Sequence, residues 1–278
     1  MEIRDAAPAL GVVVEGLDLR RELSAAEQSR LDAAFAERFL LVFPDQDLTD
    51  AQHVEAVARF GPVAAEAAGT PTFVSNHRPD GSLGSSAASF HIDFGFFPNP
   101  YEAISLYGLE IPAAGTETWF VNGVLAAATL PVDLRERVQG CVARQAVDVR
   151  SPAGQSGVRV REGRLDETFP HTLRPVLWSH RTSGGEILGV WEQHTDAILP
   201  LDPDPSTALI EDLFAHLYRP EHTYVHHWTP GDLVVWDNHA LQHSRPEVGF
   251  EVPRTLRRVC MGERQDLSLF ATGYRGRT

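Results

Sequence analysis

The last third of the chain is a succession of short apolar runs separated by turn residues. TYVHHW at 223–228 leads into the tight turn Pro230-Gly231-Asp232, then LVVWD at 233–237, and later TLRRVCMG at 255–262. Each run has strand length and is rich in β-branched and aromatic residues, which suits a pleated, half-buried surface. Residues 71–122 share this texture, with TFVS, SFHIDF, YEAISLYGLEI and TETWFV interrupted by the turn-rich RPDGSLG. Further upstream, GVVVEGL at 11–17 and FLLVF at 39–43 read as two more short strands.

Helices are signalled chiefly near the start. Ser24 and Glu27 have the spacing of a capping box, followed by Leu31, Phe35 and Phe39 at helical intervals. Thr49 and Gln52 repeat the signature, and that helix is predicted to stop at Gly61-Pro62. Further helices are predicted over 124–139 and over 206–218, the latter with Leu209, Leu213 and Leu217 on one stripe. TLRPVLWSH, the turn TSGGE and ILGVW, spanning 172–191, read as a hairpin. Residues 150–167 are rich in Gly, Ser and Arg without apolar periodicity, and read as a loop that is either a lid or a solvated excursion. Strands in the middle and end, with helices at the start and in the crossovers, favour a mainly β fold with appended helices (α+β). A sandwich or jelly roll fits this order better than a βαβ array.

Nothing in the composition divides the 278 residues, so a single domain over 1–278 is expected. A net charge of −14 would repel a phosphate backbone or an anionic lipid surface, so neither nucleic acid nor membrane is expected as a partner. The two cysteines, Cys141 and Cys260, form no paired motif; the opening MEIRDAAPAL lacks a basic start followed by a long apolar run, and FLLVF is far too short to span a bilayer, so neither a signal peptide nor a membrane span is expected. A reducing, cytoplasmic setting is expected.

The chemistry is concentrated in FHIDFGF at 90–96. On a strand, residues i and i+2 face the same side, so His91 and Asp93 would project together, as two metal ligands can. His194-Thr195-Asp196 is a second copy of the pattern, and spacing alone does not choose between them.

The choice comes from PGDLVVWDNHALQHSRPE at 230–247 and PRTLRRVCMG at 253–262. Together with His91-x-Asp93 and the segment AGTETWFVN, the chain resembles the TauD/TfdA family of Fe(II)- and 2-oxoglutarate-dependent dioxygenases over nearly its whole length. The resemblance implies a double-stranded β-helix (jelly-roll) core. It implies that His91, Asp93 and His243 bind Fe(II), leaving positions open for 2-oxoglutarate and O2, the arrangement of non-haem iron oxygenases. It assigns Thr118 and Arg254 to the far carboxylate of 2-oxoglutarate and Arg258 to an anionic group of the prime substrate.

Strand alternation in RTLRR agrees with these assignments, placing Arg254, Leu256 and Arg258 on one side and Thr255 and Arg257 on the other. His194 and Asp196 lack partners at the family's spacings and read as a surface or loop pair. His226 and His227 should face opposite ways. His239 is a candidate support for the metal site, and His77 and Arg78 are candidates for the pocket rim. Taurine dioxygenase has an asparagine where this chain has Ala87, which argues against taurine. Phe94, Phe96 and Phe97 suggest an apolar wall for a bulkier, partly hydrophobic acid.

The expected function is therefore hydroxylation of an unactivated C–H bond in a small, anionic, partly hydrophobic substrate, with release of succinate and CO2. Two other readings are desaturation, cyclisation or isonitrile formation with the same cofactors, and a non-catalytic metal- or ligand-binding protein. Family analogy suggests a homo-oligomer.

Overall fold

A computed structural model describes residues 1–65, 70–113, 116–147, 169–249 and 251–263. The loop expected at 150–167 lies outside the described residues. Two sheets form the centre. The larger joins β1 (Glu2–Asp5), β2 (Val12–Glu15), β3 (Leu40–Phe43), β4 (Thr72–Ser75), β5 (Gly81–Leu83), β7 (Ala103–Glu110), β15 (Leu233–Asp237) and β17 (Thr255–Met261) in the order β1-β2-β3-β15-β7-β17-β4-β5. The smaller joins β6 (Ala88–His91), β8 (Glu117–Asn122), β14 (Thr223–His227) and β16 (Leu241–Arg245) in the order β14-β8-β16-β6. β9 (Val142–Ala146), β10 (His171–Pro175) and β13 (Thr195–Leu199) form a third sheet, and β11 (Leu177–Ser179) pairs with β12 (Glu186–Leu188); the hairpin expected over 172–191 is thus confined to its inner part, since 171–175 pairs with β9 instead.

Alternation along β15 shows how the layers are held. Val234 and Trp236 enter the core between the two main sheets with Leu106, Phe120, Leu241 and Leu256. Leu233 and Val235 face the opposite way, into a second core under α1 (Ala25–Arg38) and α2 (Asp50–Val57), with Leu31, Ala56 and Val57. Both faces are covered, so the strand is apolar throughout. A third core lies beneath α5 (Pro203–Leu217), where Leu209, Leu213 and Leu217 are all buried.

Both capping boxes form: Ser24 and Thr49 accept from the backbone of Glu27 and Gln52, whose side chains accept in return. Four boundaries differ from expectation. α2 ends at Val57, because Ala58 closes its last turn onto Val54 and Phe60 N donates to Val57 O, ahead of Gly61-Pro62. The helix expected over 124–139 is two, α3 (Gly123–Ala128) and α4 (Val132–Val138), since Pro131 is extended and has no N–H to continue the ladder. α5 begins at Pro203, where a missing N–H costs nothing. Part of the turn-rich RPDGSLG segment forms β5, parallel to β4. Among the described residues neither cysteine forms a disulfide and both are buried, and no helix is long and apolar enough to cross a membrane.

Candidate active site

β6 ends at His91, so Asp93 is not on the strand as the sequence suggested. It sits in a following turn in which Gly95 N donates to Ile92 O and Phe97 N to Phe94 O, with Phe94 in the left-handed region at φ 58°. The turn is anchored by Asn238, whose Oδ1 accepts from Asp93 N at 2.9 Å and whose Nδ2 donates to the carbonyls of Asp93 and Tyr101. Gly95 is required for close packing, because a Cβ there would lie 2.5 Å from the Trp191 ring.

His91 and His243 are cross-strand partners on β6 and β16, with ring centroids 4.2 Å apart. Trp236 meets the His243 ring edge-on at 5.0 Å and fixes its plane. The Nε2 atoms of His91 and His243 lie 3.3 and 3.5 Å from the same oxygen, Oδ1 of Asp93. One donor atom from each of the three lies within 4.8 Å of the others, and these residues are the one such group of His, Cys, Asp and Glu among the described residues.

The donor set fits a divalent cation. His91 Nδ1 donates to the Ser89 carbonyl at 2.7 Å, so a neutral His91 carries its lone pair on Nε2, facing a carboxylate oxygen. Two acceptors face to face repel unless a positive charge lies between them. Burial pushes His243 down to about 3, so it is neutral and able to ligate at ordinary pH. Burial alone would raise Asp93, but the positive charge around it, with Arg258 donating to its Oδ2, outweighs burial and keeps the carboxyl ionised.

The adjoining cavity is lined by Leu106, Thr118, Trp236, Arg245, Arg254 and Leu256 as well as the triad and Arg258. Arg254 is 1% exposed, and all three guanidinium nitrogens lack a hydrogen-bond partner. Burial, with the neighbouring charge of Arg245, pushes it down to about 9. A buried cation left without an anion is strongly unfavourable, so this cavity is built for an anionic occupant. Thr118 is 3% exposed, and its Oγ1 accepts from Trp228 Nε1 at 2.9 Å.

Arg254, just before β17, and Leu256 and Arg258 on it all line the cavity. Arg257 faces away, donating to His53 Nδ1 and the Leu48 carbonyl. Arg258 Nη1 donates to Asp93 Oδ2. Phe94 stands beside the triad without entering the cavity wall, packed on Tyr101 and Phe97 with centroids 5.1 and 5.5 Å away.

Other sequence candidates separate from the site. His194 and Asp196 are not a surface pair. His194 is 2% exposed, accepts from Trp191 Nε1 and packs against Phe96, while Asp196 is buried against Arg144. The Thr195 side chain and the β13 pairing draw the segment inward, which the isolated tripeptide does not reveal. His226 is buried beside Asp232 and His227 points out, as alternation requires. His239 reaches the Pro100 carbonyl at 3.4 Å and does not touch the triad. His77 and Arg78 pair with Glu110 and Asp80 outside the cavity. Ala88, rather than Ala87, lines the cavity.

Three contributors were not singled out by sequence: Asn238, Trp228 and Arg245. Asn238 lies in the quoted Trp-Asp-Asn run and Arg245 two residues after His243 on the same strand face, so both carried a signal.

Residues 2–260 match the family model described as "Taurine catabolism dioxygenase TauD, TfdA family". The chain is 32% identical over 259 residues to an (S)-phenoxypropionate/alpha-ketoglutarate-dioxygenase of Sphingobium herbicidovorans, covering 86% of this chain and 88% of that one. It is 26% identical to an alpha-ketoglutarate-dependent 2,4-dichlorophenoxyacetate dioxygenase of Cupriavidus pinatubonensis, covering 91% and 94%. Among solved structures, AAD-2 in complex with Mn(II) and N-oxalylglycine superposes with a TM-score of 0.79 at 26% identity, covering 95% and 97%. With the site geometry, these matches lead to one assignment: the chain belongs to the TauD/TfdA family of non-haem Fe(II)- and 2-oxoglutarate-dependent dioxygenases.

Proposed function

We propose that this chain hydroxylates an unactivated C–H bond of a small carboxylate-bearing, partly hydrophobic substrate, using Fe(II), 2-oxoglutarate and O2 and releasing succinate and CO2. His91, Asp93 and His243 would hold the iron, and Arg254 with Thr118 the far carboxylate of 2-oxoglutarate. The observation that carries the reading is the buried, unpartnered Arg254 guanidinium in the same cavity as two imidazoles and a carboxylate. When bound, the iron and co-substrate supply the oxidising chemistry. The protein's part is positional. The Asn238-locked turn sets Asp93, Trp236 orients His243, and the apolar walls exclude water.

Arg258 would hold the substrate carboxylate, and Phe94, which stands beside the triad outside the wall of the co-substrate cavity, would bound the apolar part of the substrate. The phenoxyalkanoate names of the relatives support a substrate of this shape. We further infer a jelly-roll core acting as one unit over 1–278, working on small molecules in the cytoplasm as a homo-oligomer. The net charge of −14 favours this over nucleic-acid or membrane association.

The test is anaerobic addition of Fe(II) and 2-oxoglutarate, which should give a visible charge-transfer band, followed by succinate release with a panel of aryloxyalkanoates, carboxylates and sulfonates. His243→Ala should abolish both. A folded wild-type protein with no band and no succinate would overturn the proposal. Product gaining one oxygen atom marks hydroxylation, whereas loss of two hydrogens would replace it with desaturation or ring closure.

A further inference from the structure

We infer that Arg245 is a second anion-holding residue of the co-substrate cavity, facing Arg254 and making the pocket selective for a 2-oxo acid that carries a distal carboxylate. The inference rests on the functional reading above and deepens it. On β16, His243 and Arg245 both face the space between the sheets, across a register shift that lies between them in the pairing with β6. Arg245 is 7% exposed. Its Nη2 donates to the carbonyls of Gly84, at 3.0 Å, and Ser86, while its buried Nε has no partner. Those carbonyls satisfy N–H groups but neutralise no charge.

Charge counting isolates the pair. Three guanidiniums line the cavity, those of Arg245, Arg254 and Arg258, and Asp93 is the one carboxylate in its described wall. Arg258 is engaged by Asp93, which leaves Arg245 and Arg254 as two buried cations with no carboxylate hydrogen-bonded to the free nitrogens of either; the charge of Glu117 acts on Arg254 without a hydrogen bond and offsets less than burial and Arg245 impose. They also repel: the charge of Arg245 contributes to lowering Arg254. Like charges are held together in a low-dielectric space at a cost that an anion between them removes. One guanidinium fork satisfies two lone pairs of a carboxylate, and a second donor can serve those that remain. Arg245 thus has two tasks, tying residues 84–86 to β16 and offering Nε to the ligand.

The experiment uses the full chain loaded with Mn(II), titrated calorimetrically with 2-oxoglutarate and with 2-oxovalerate, which has the same chelating end but a methyl in place of the distal carboxylate. Arg245→Gln should weaken 2-oxoglutarate by about 10- to 100-fold, the range for a charge-assisted hydrogen bond, while leaving 2-oxovalerate within about twofold. Arg245→Lys should recover part of the loss.

If Arg245 only pins the 84–86 segment, both ligands weaken alike and the inference falls. Equal 2-oxoglutarate affinity in wild type and variant overturns it too. A wild-type protein that binds neither ligand refutes the functional reading itself. Should Arg245→Gln fail to fold, a crystal of the wild-type Mn(II) complex with 2-oxoglutarate decides. A distal carboxylate within hydrogen-bond distance of Arg245 Nε supports the inference, and one held by Arg254 and Thr118 alone overturns it.

Discussion

Arg258 Nη1 donates to Oδ2 of Asp93 at 2.9 Å, while Oδ1 of the same carboxylate faces the Nε2 atoms of His91 and His243. The two oxygens therefore have separate duties, and an arginine expected to serve the substrate also orients a proposed metal ligand. Arg258→Gln should weaken Mn(II) binding by about 10- to 100-fold, the usual cost of losing a group that orients a ligand. Titration of the metal-free protein followed by electron paramagnetic resonance measures it.

Asn238 is fully buried and makes three hydrogen bonds that close the Asp93 turn. Asn238→Ala leaves a buried N–H and two carbonyls unsatisfied, so a loss of about 3 kcal/mol is expected. Urea unfolding of the metal-free variant checks the stability, and the same preparation should bind Mn(II) more weakly because Asp93 is no longer held in place.

Trp228 occupies an acceptor position of the Thr118 hydroxyl, leaving its proton free to point into the cavity. Trp228→Phe removes that constraint with little change in volume. The expected cost is about 1 kcal/mol, or roughly fivefold in 2-oxoglutarate affinity, with Mn(II) affinity unchanged. Calorimetry on the Mn(II) protein reads both quantities.

Burial pushes His53 down to about 3, helped by the charge of Arg257, and His194 and His243 are lowered to about 3 as well. Below the ordinary value of 6.5 the unfolded chain takes up protons at these positions while the folded protein does not. Stability of the metal-free protein should therefore be level above about pH 6.5 and fall as the pH drops towards 3, by up to roughly 1.4 kcal/mol per pH unit per histidine. His53→Gln keeps an acceptor for Arg257 and removes one titrating group, so its melting temperature should decline less steeply with acid. Equal slopes for the two proteins would contradict the assignment.

Most local elements and the chemical types at the site were legible in the amino-acid sequence. Capping boxes at Ser24 and Thr49, strand-length apolar runs and the inward alternation of Arg254, Leu256 and Arg258 depend on neighbours a few residues apart, so they are legible in the string. The family resemblance of the His-x-Asp, Trp-Asp-Asn and Arg-x-x-x-Arg motifs likewise pointed to residues that the folded chain gathers around one cavity.

How Asp93 reaches the histidines emerged from the folded chain alone. The strand ends at His91, and the carboxylate is carried by a turn that Asn238 clamps from the far end of the chain. The fold also decided that His194-Thr-Asp196 is drawn inward, that Arg258 is held by Asp93, and that Arg245 and Arg254 share a cavity in which Arg254 has no hydrogen-bonded partner. Each of these depends on contacts between strands distant in sequence. The desolvation that gives such groups their chemistry arises only when the two sheets close over them.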